Sequence, residues 1–165
     1  MMKKDFLILF FSISYLSAIP GILYADITDY IYPNTSPSYS NYGTTGIIQM
    51  PSARFRSEGT LGVNWSNSDP YLRGTIIAYP FSWFEATYSY IDINNAFYSN
   101  SIDFSGDQTY KDKGFDVKFR LIKETDYLPA VALSIRDIAG GHTFEAEALI
   151  LSKFYKNLDF TVGLG

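Results

Sequence analysis

Few residues in this chain are placed to do covalent chemistry. His142 is the sole histidine of 165 residues, and cysteine is absent. A general base needs a nucleophile and an orienting partner within hydrogen-bond reach. No Ser-His-Asp set has a second anchor in the sequence, so His142 reads as a surface residue after Gly140-Gly141. Asp103, Asp107 and Asp112 share one stretch, which raises the question of calcium. Their spacing does not follow the alternating ligands of a twelve-residue calcium loop, and a solvated, turn-rich segment accounts for them. Glu145 and Glu147 are two positions apart, about 7 Å along a strand. That separation suits a glycosidase pair, but a structural charge pair is the simpler reading. The sequence predicts no catalytic residue, no metal site, no cofactor and no enzyme.

Binding chemistry is better represented. Asp107, Gln108, Tyr110, Lys111, Asp112 and Lys113 gather donors and acceptors around an aromatic ring. Sugars are held by such hydrogen bonds and by stacking. These residues form a candidate glycan-contact loop, or they fold that loop over whatever lies beneath it.

The elements that must position these groups are strands. Residues 1–25 resemble a signal peptide: Lys3 and Lys4 precede the apolar run Phe6 to Ile19, then Pro20-Gly21 and a small residue at Ala25. That run is short for a membrane span of about 20 residues. Residues 26–45, rich in Tyr, Ser, Asn, Pro and Thr, read as a flexible arm. Residues 46–165 form the folded part, and Thr44 to Met50 suits a short strand stopped by Pro51. From Thr60 onward the period is two. Strands are predicted at Thr60–Ser66, Leu72–Tyr79, Trp83–Ile91, Gly114–Ile122, Ala130–Arg136, Phe144–Leu151 and Leu158–Leu164, with a long polar loop over Asp92–Lys113. Pro129 suits the start of a strand. The fold class is all-β, an antiparallel meander of about seven strands.

Periodicity alone leaves two architectures open. A soluble periplasmic sandwich turns its apolar face inward; an outer-membrane barrel turns it to lipid. Export permits the second, as do the alternating short and long connections. Aromatics near strand ends, such as Trp65, Tyr79, Trp83, Tyr90 and Tyr155, match an interfacial girdle. Aromatics make up 18 % of the chain, although they also favour strands generally. The polar face is ionic. It would carry Arg73, Glu85, Asp116, Lys118, Arg120, Arg136, Glu145, Glu147 and Asp159, costly in a dry core but cheap in a wet lumen. A net charge of −4 without a basic run excludes nucleic acid as a partner. Seven strands leave an open edge, so the chain is expected to be the N-terminal part of a larger barrel, or a barrel that needs a partner.

Several stretches carry a resemblance. Gly46-Ile47-Ile48-Gln49-Met50-Pro51-Ser52-Ala53-Arg54, Ser68-Asp69-Pro70-Tyr71, Tyr90-Ile91-Asp92-Ile93-Asn94-Asn95, Phe104 through Asp116, Arg136-Asp137-Ile138 and Leu158 through Gly165 resemble, in order, motifs of the YjbH family of exopolysaccharide-associated outer-membrane proteins. The likeness covers about residues 41–165. It departs at Gly140-Gly141-His142-Thr143 and Glu145-Ala146-Glu147, where the family has a Gly-Thr-Gly type loop and a Ser-rich strand start.

The resemblance implies a non-catalytic outer-membrane barrel of a Gram-negative bacterium that supports exopolysaccharide production or export. Its implied partners are outer-membrane lipid, an extracellular polysaccharide and other secretion proteins. It also implies relatives several times longer. Some relatives look like lipoproteins, whereas this chain lacks the cysteine such a lipid needs. Two other functions remain open: a soluble periplasmic β-sandwich that binds glycan or aids assembly, and a structural barrel with a plugged lumen.

Overall fold

Alternating β-branched, aromatic and polar residues leave one face of each segment to be buried, and pairing neighbours in sequence is the shortest way to satisfy their backbones. The computed structural model describes residues 36–165. The expected signal segment 1–25, and residues 26–35 of the arm, lie outside the described residues. Two short strands, β1 (Gly46–Ile47) and β2 (Met50–Pro51), pair as a hairpin. There follow β3 (Leu61–Ser68), β4 (Tyr71–Phe81), β5 (Phe84–Phe97), a single helical turn α1 (Ile102–Ser105), β6 (Thr109–Ile122), β7 (Ala130–Arg136), β8 (Ala146–Tyr155) and β9 (Leu158–Leu164). β3 to β9 form one antiparallel sheet in sequential order, curled into a half-barrel. No helix among the described residues is long and apolar enough to cross a membrane.

The seven expected strands are all present; β7 and β9 have the expected ends, and the other five differ at one end or both. Asp92–Lys113 is not a long loop: β5 runs on to Phe97 and β6 begins at Thr109. The polar composition there hides a strand whose inward residues, Ile91 and Ile93, are buried. Its outward Asp92 pairs across the ladder with Lys111 at 2.9 Å. Conversely, Phe144 and Glu145 precede β8 instead of opening it. The Phe144 N–H donates to the Asp137 carboxylate at 3.2 Å, which takes the donor a ladder would need. The segment Thr44–Met50 bends into the β1–β2 hairpin through Ile48, whose φ is +53°.

One end of the sheet carries the tight links 82–83 and 156–157 and the turn 123–129; the other carries 69–70 and the longer loops 98–108 and 137–145. The two faces differ sharply. The convex face exposes Leu61, Val63, Trp65, Ile76, Phe115, Leu149, Phe160 and Val162. The concave face buries Arg73, Thr75, Glu85, Thr87, Asp116, Lys118, Ser134 and Ser152. What buries it is the chain's own N-terminal part. Residues 36–45, expected as a flexible arm, are packed there together with the β1–β2 hairpin. Ser40, Thr44 and Thr45 are all at most 6 % exposed. Room for this plug comes from small inward side chains on β7 and β8: Ala130, Ala132 and Ala148 pack with Ile150 against Ala53 and Phe55.

Candidate functional site: a plugged polar face

The centre of the concave face is a saturated ionic knot. Glu85 on β5 and Lys118 on β6 are cross-strand partners, so their side chains leave the sheet side by side. Nζ lies 2.8 Å from Oε2, and both groups are at most 1 % exposed. The ammonium has three protons and three acceptors: Glu85, the Thr45 carbonyl at 3.2 Å and the Arg54 carbonyl at 3.1 Å. It also lies 4.7 Å from the centre of the Phe55 ring. The carboxylate in turn accepts from the Thr45 N–H at 3.0 Å and the Thr45 hydroxyl at 2.5 Å. With that proton committed to Glu85, the Thr45 oxygen accepts from Tyr79, 2.5 Å away. Tyr79 is therefore an interior residue, not a girdle aromatic. The ion pair itself lies within the sheet, and its hydrogen bonds to Thr45 and the Arg54 carbonyl join the sheet to the plug, so the knot fixes the plug's depth.

At the tight-turn end the plug leaves through a second ion cluster. Arg54 forks onto Asp159 at 2.6 and 3.1 Å, pairs with Glu124 and lies over the Phe154 ring. Glu124 also accepts from the Phe154 N–H and pairs with Lys153. Partial burial works against its charge. The Arg54 hydrogen bond, the Phe154 N–H and Lys153 more than offset this, so its pKa lies below the ordinary 4.5. A depressed carboxylate pKa contributes stability that is present above the unfolded value and lost as pH falls through the folded one. Stability is thus expected to decline below pH 4.5, and Glu124→Gln to flatten that decline. Thermal midpoints of both forms at pH 7 and pH 3 measure it.

At the loop end the plug's tip turns at Gly43, with φ +89°. A β-carbon there would sit 2.2 Å from the Thr75 hydroxyl, so only glycine fits. Beside it, Tyr42 lies between two guanidinium groups, Arg73 at 4.7 Å and Arg136 at 3.9 Å from its ring centre. Tyr71 and Phe144 complete the surround of Arg73.

Of the charges assigned to the polar face, Arg73, Glu85, Asp116, Lys118, Arg120, Arg136 and Asp159 have the concave parity. Glu145 and Glu147 do not belong with them. Glu147 is paired with Ile135 on the convex face, and Glu145 bonds His142 in the exposed loop. The parity of β8 is inverted because the plug needs small inward residues, so Ala146 and Ala148 turn in and Leu149 and Leu151 turn out. The two glutamates therefore share no strand face.

The candidate glycan-contact residues are also split. Asp107 and Gln108 lie in the 98–108 loop, while Tyr110, Lys111, Asp112 and Lys113 are in β6. Asp112 is buried under loop 137–145, which passes so close that a β-carbon on Gly141 would overlap its carboxylate. Tyr110, Lys111, Asp112 and Lys113 still border an open cleft of about 600 Å³, with Tyr98 and Phe104 on its other side. The Tyr98 and Phe104 rings are stacked, 6.5 Å apart, and both are more than half exposed. The sequence reading missed this pair, although a Phe-Tyr at 97–98 ahead of a polar loop was a visible cue.

A family model described as exopolysaccharide biosynthesis protein YbjH, of the YjbH family, matches residues 38–165. The chain belongs to the YjbH family. A curated relative, the uncharacterized lipoprotein YjbH of Escherichia coli strain K12, is 46 % identical over 129 residues. That alignment covers 78 % of this chain and 18 % of the relative, so the chain spans under a fifth of its length. No solved structure matches. The YjbH match begins at Ser38, so the sheet and all but the first two residues of the plug fall within it.

Proposed function

We propose that this chain is part of an outer-membrane β-barrel that supports exopolysaccharide production or export without catalysis. The observation that carries this reading is the inversion of the sheet: large apolar side chains dominate the outward face, and the charged side chains of Arg73, Glu85, Asp116 and Lys118 are buried on the inward one, among polar and apolar residues. A soluble sandwich buries the opposite face. On β6 the convex run Phe115, Val117, Phe119 and Leu121 is bracketed by Lys113 and Lys123. From Lys113 to Lys123 is about 34 Å along an extended strand. At the ~40° tilt of such barrels this is about 26 Å of height, matching their apolar band. Phe81, Trp83, Phe84 and Phe119 cluster where that band meets the tight turns, with ring centres 5.2 to 6.3 Å apart.

In this reading the concave face is a lumen, and Arg73, Glu85, Asp116, Lys118, Arg120, Arg136 and Asp159 are its charges. Residues 36–56 plug it, which favours a barrel closed at rest over an open pore. The cleft beside Tyr98, Phe104 and Tyr110 is a glycan-contact surface on the loop side. The free edges β3 and β9 pair with other strands of the longer protein.

The test is the full-length protein extracted from membranes. Heat-modifiable gel mobility is the expected result. A form that stays soluble in the periplasm without detergent overturns it.

A further inference from the structure

Among the described residues, three concave cations, Arg73, Arg120 and Arg136, are left without an ion pair; Arg120 stacks over Phe55, whereas Arg73 and Arg136 converge on one ring at the loop end, that of Tyr42. Among the described residues neither forms an ion pair or a side-chain hydrogen bond, whereas Lys118 and Arg54 are fully engaged. Arg73 is 1 % exposed, and its Nε and Nη1 find no partner. A buried guanidinium is ordinarily matched by a carboxylate or phosphate in bidentate geometry. Among the described residues its compensation is aromatic: Tyr71, Phe144 and Tyr42. A ring quadrupole replaces a counter-ion poorly. Asp116 lines the same small gap as Arg136 and feels its charge, but the two form no ion pair, and the Asp116 carboxylate accepts from the Asp137 N–H at 2.8 Å.

Tyr42 has a different standing from the other rings. Tyr71 belongs to the sheet and Phe144 to the loop that closes on it. Tyr42 belongs to the plug, at its very tip, and both guanidinium groups converge on it. The gap left between Tyr42, Asp116, Arg136, Asp137 and Phe144 is about 10 Å³, room for one water at most. A larger anion reaches the two arginines only where the Tyr42 ring now lies.

We infer that Arg73 and Arg136 form a subsite for the acidic groups of a polysaccharide, carboxylate or phosphate, which Tyr42 of the plug occupies as a competitor at rest. This rests on the glycan-export reading and adds a charge class to it. It also supplies a displacement step: an acidic residue entering from the loop end trades two cation–π contacts for two charge-assisted ones and frees the plug's tip.

The experiment is calorimetric titration of the detergent-purified full-length protein with two probes, an oligogalacturonate and a neutral malto-oligosaccharide. The acidic probe is expected to bind more tightly, with an affinity that falls as salt rises. Arg73→Gln and Arg136→Gln are expected to weaken it at least tenfold, with heat-modifiable mobility retained as the check on folding. Tyr42→Ala is expected to tighten it severalfold, a direction that loss of structure does not produce. Equal binding of both probes, unchanged by the arginine variants, overturns the subsite and leaves the glycan reading standing. Weaker acidic binding by Tyr42→Ala overturns the competition. Binding of neither probe by any variant overturns the subsite and the glycan reading together.

Discussion

Replacing Lys118 with Met is expected to destabilise the protein by about 3–5 kcal/mol, the cost of leaving a buried ion without its partner. The substitution keeps most of the side chain's volume, so packing is not the cause. It strands the Glu85 carboxylate, which is 1 % exposed. It also removes the donor that serves the Thr45 and Arg54 carbonyls. Those carbonyls belong to the plug, so the damage should fall first on its seating. Trypsin provides the readout, because Arg54 and Arg56 lie on the plug's exit. Cleavage there should accelerate in Lys118→Met before the sheet unfolds. The double variant Glu85→Leu, Lys118→Met removes both charges and should recover only part of the loss, since the Thr45 N–H still loses its acceptor. Arg120→Met is the contrast. Arg120 only stacks over Phe55, at 4.5 Å, and should cost about 1 kcal/mol. Equal unfolding midpoints and equal cleavage for Lys118→Met and the parent chain would remove the knot from any role in holding the plug.

The sheet was legible because its signal is local. Strand parity repeats every two residues, and Phe115 to Leu121 alternates so cleanly that β6 could be drawn from sequence. Parity failed on β8, where both Ala146-Ala148-Ile150 and Glu147-Leu149-Leu151 are plausible apolar faces. What decides between them is the space required by Ala53 and Phe55, about a hundred positions earlier in the chain. Asp92–Lys113 misled through composition, since a solvated strand end contains the same residues as a loop. The plug was the larger omission. Its Tyr, Ser, Thr and Asn content looks disordered in isolation, because each polar group finds its partner on the sheet. Thr45 meets Glu85 across 40 positions, and Ala53 meets Ser152 across 99. The arginines, Glu85 and Lys118 were recognisable as one ionic face. That two of them bind each other while Arg73 and Arg136 share a tyrosine depends on register, which single-strand patterns do not carry.

A charge placed on the convex face separates the membrane reading from its rivals most directly. Ile76 lies mid-strand in β4, half exposed, with Val63 and Tyr88 as its cross-strand neighbours. If that face meets lipid, Ile76→Arg puts a cation near the bilayer midplane and should cost about 2–4 kcal/mol. If it meets water, the change should stay within about 0.5 kcal/mol, as for other surface positions. Tyr127→Arg, in the 93 % exposed position of the 123–129 turn, should be silent in both cases. Denaturant unfolding of the full-length protein in lipid vesicles measures all three forms. A second protein layer over β4 would also penalise Ile76→Arg, but such a protein needs no lipid to remain soluble. The two cases diverge in detergent-free buffer: a lipid-facing wall aggregates there in the parent form and less so with the arginine, whereas a covered wall is soluble in the parent form and loses solubility with the arginine. The sign of that change, together with the penalty in vesicles, decides what the apolar face touches.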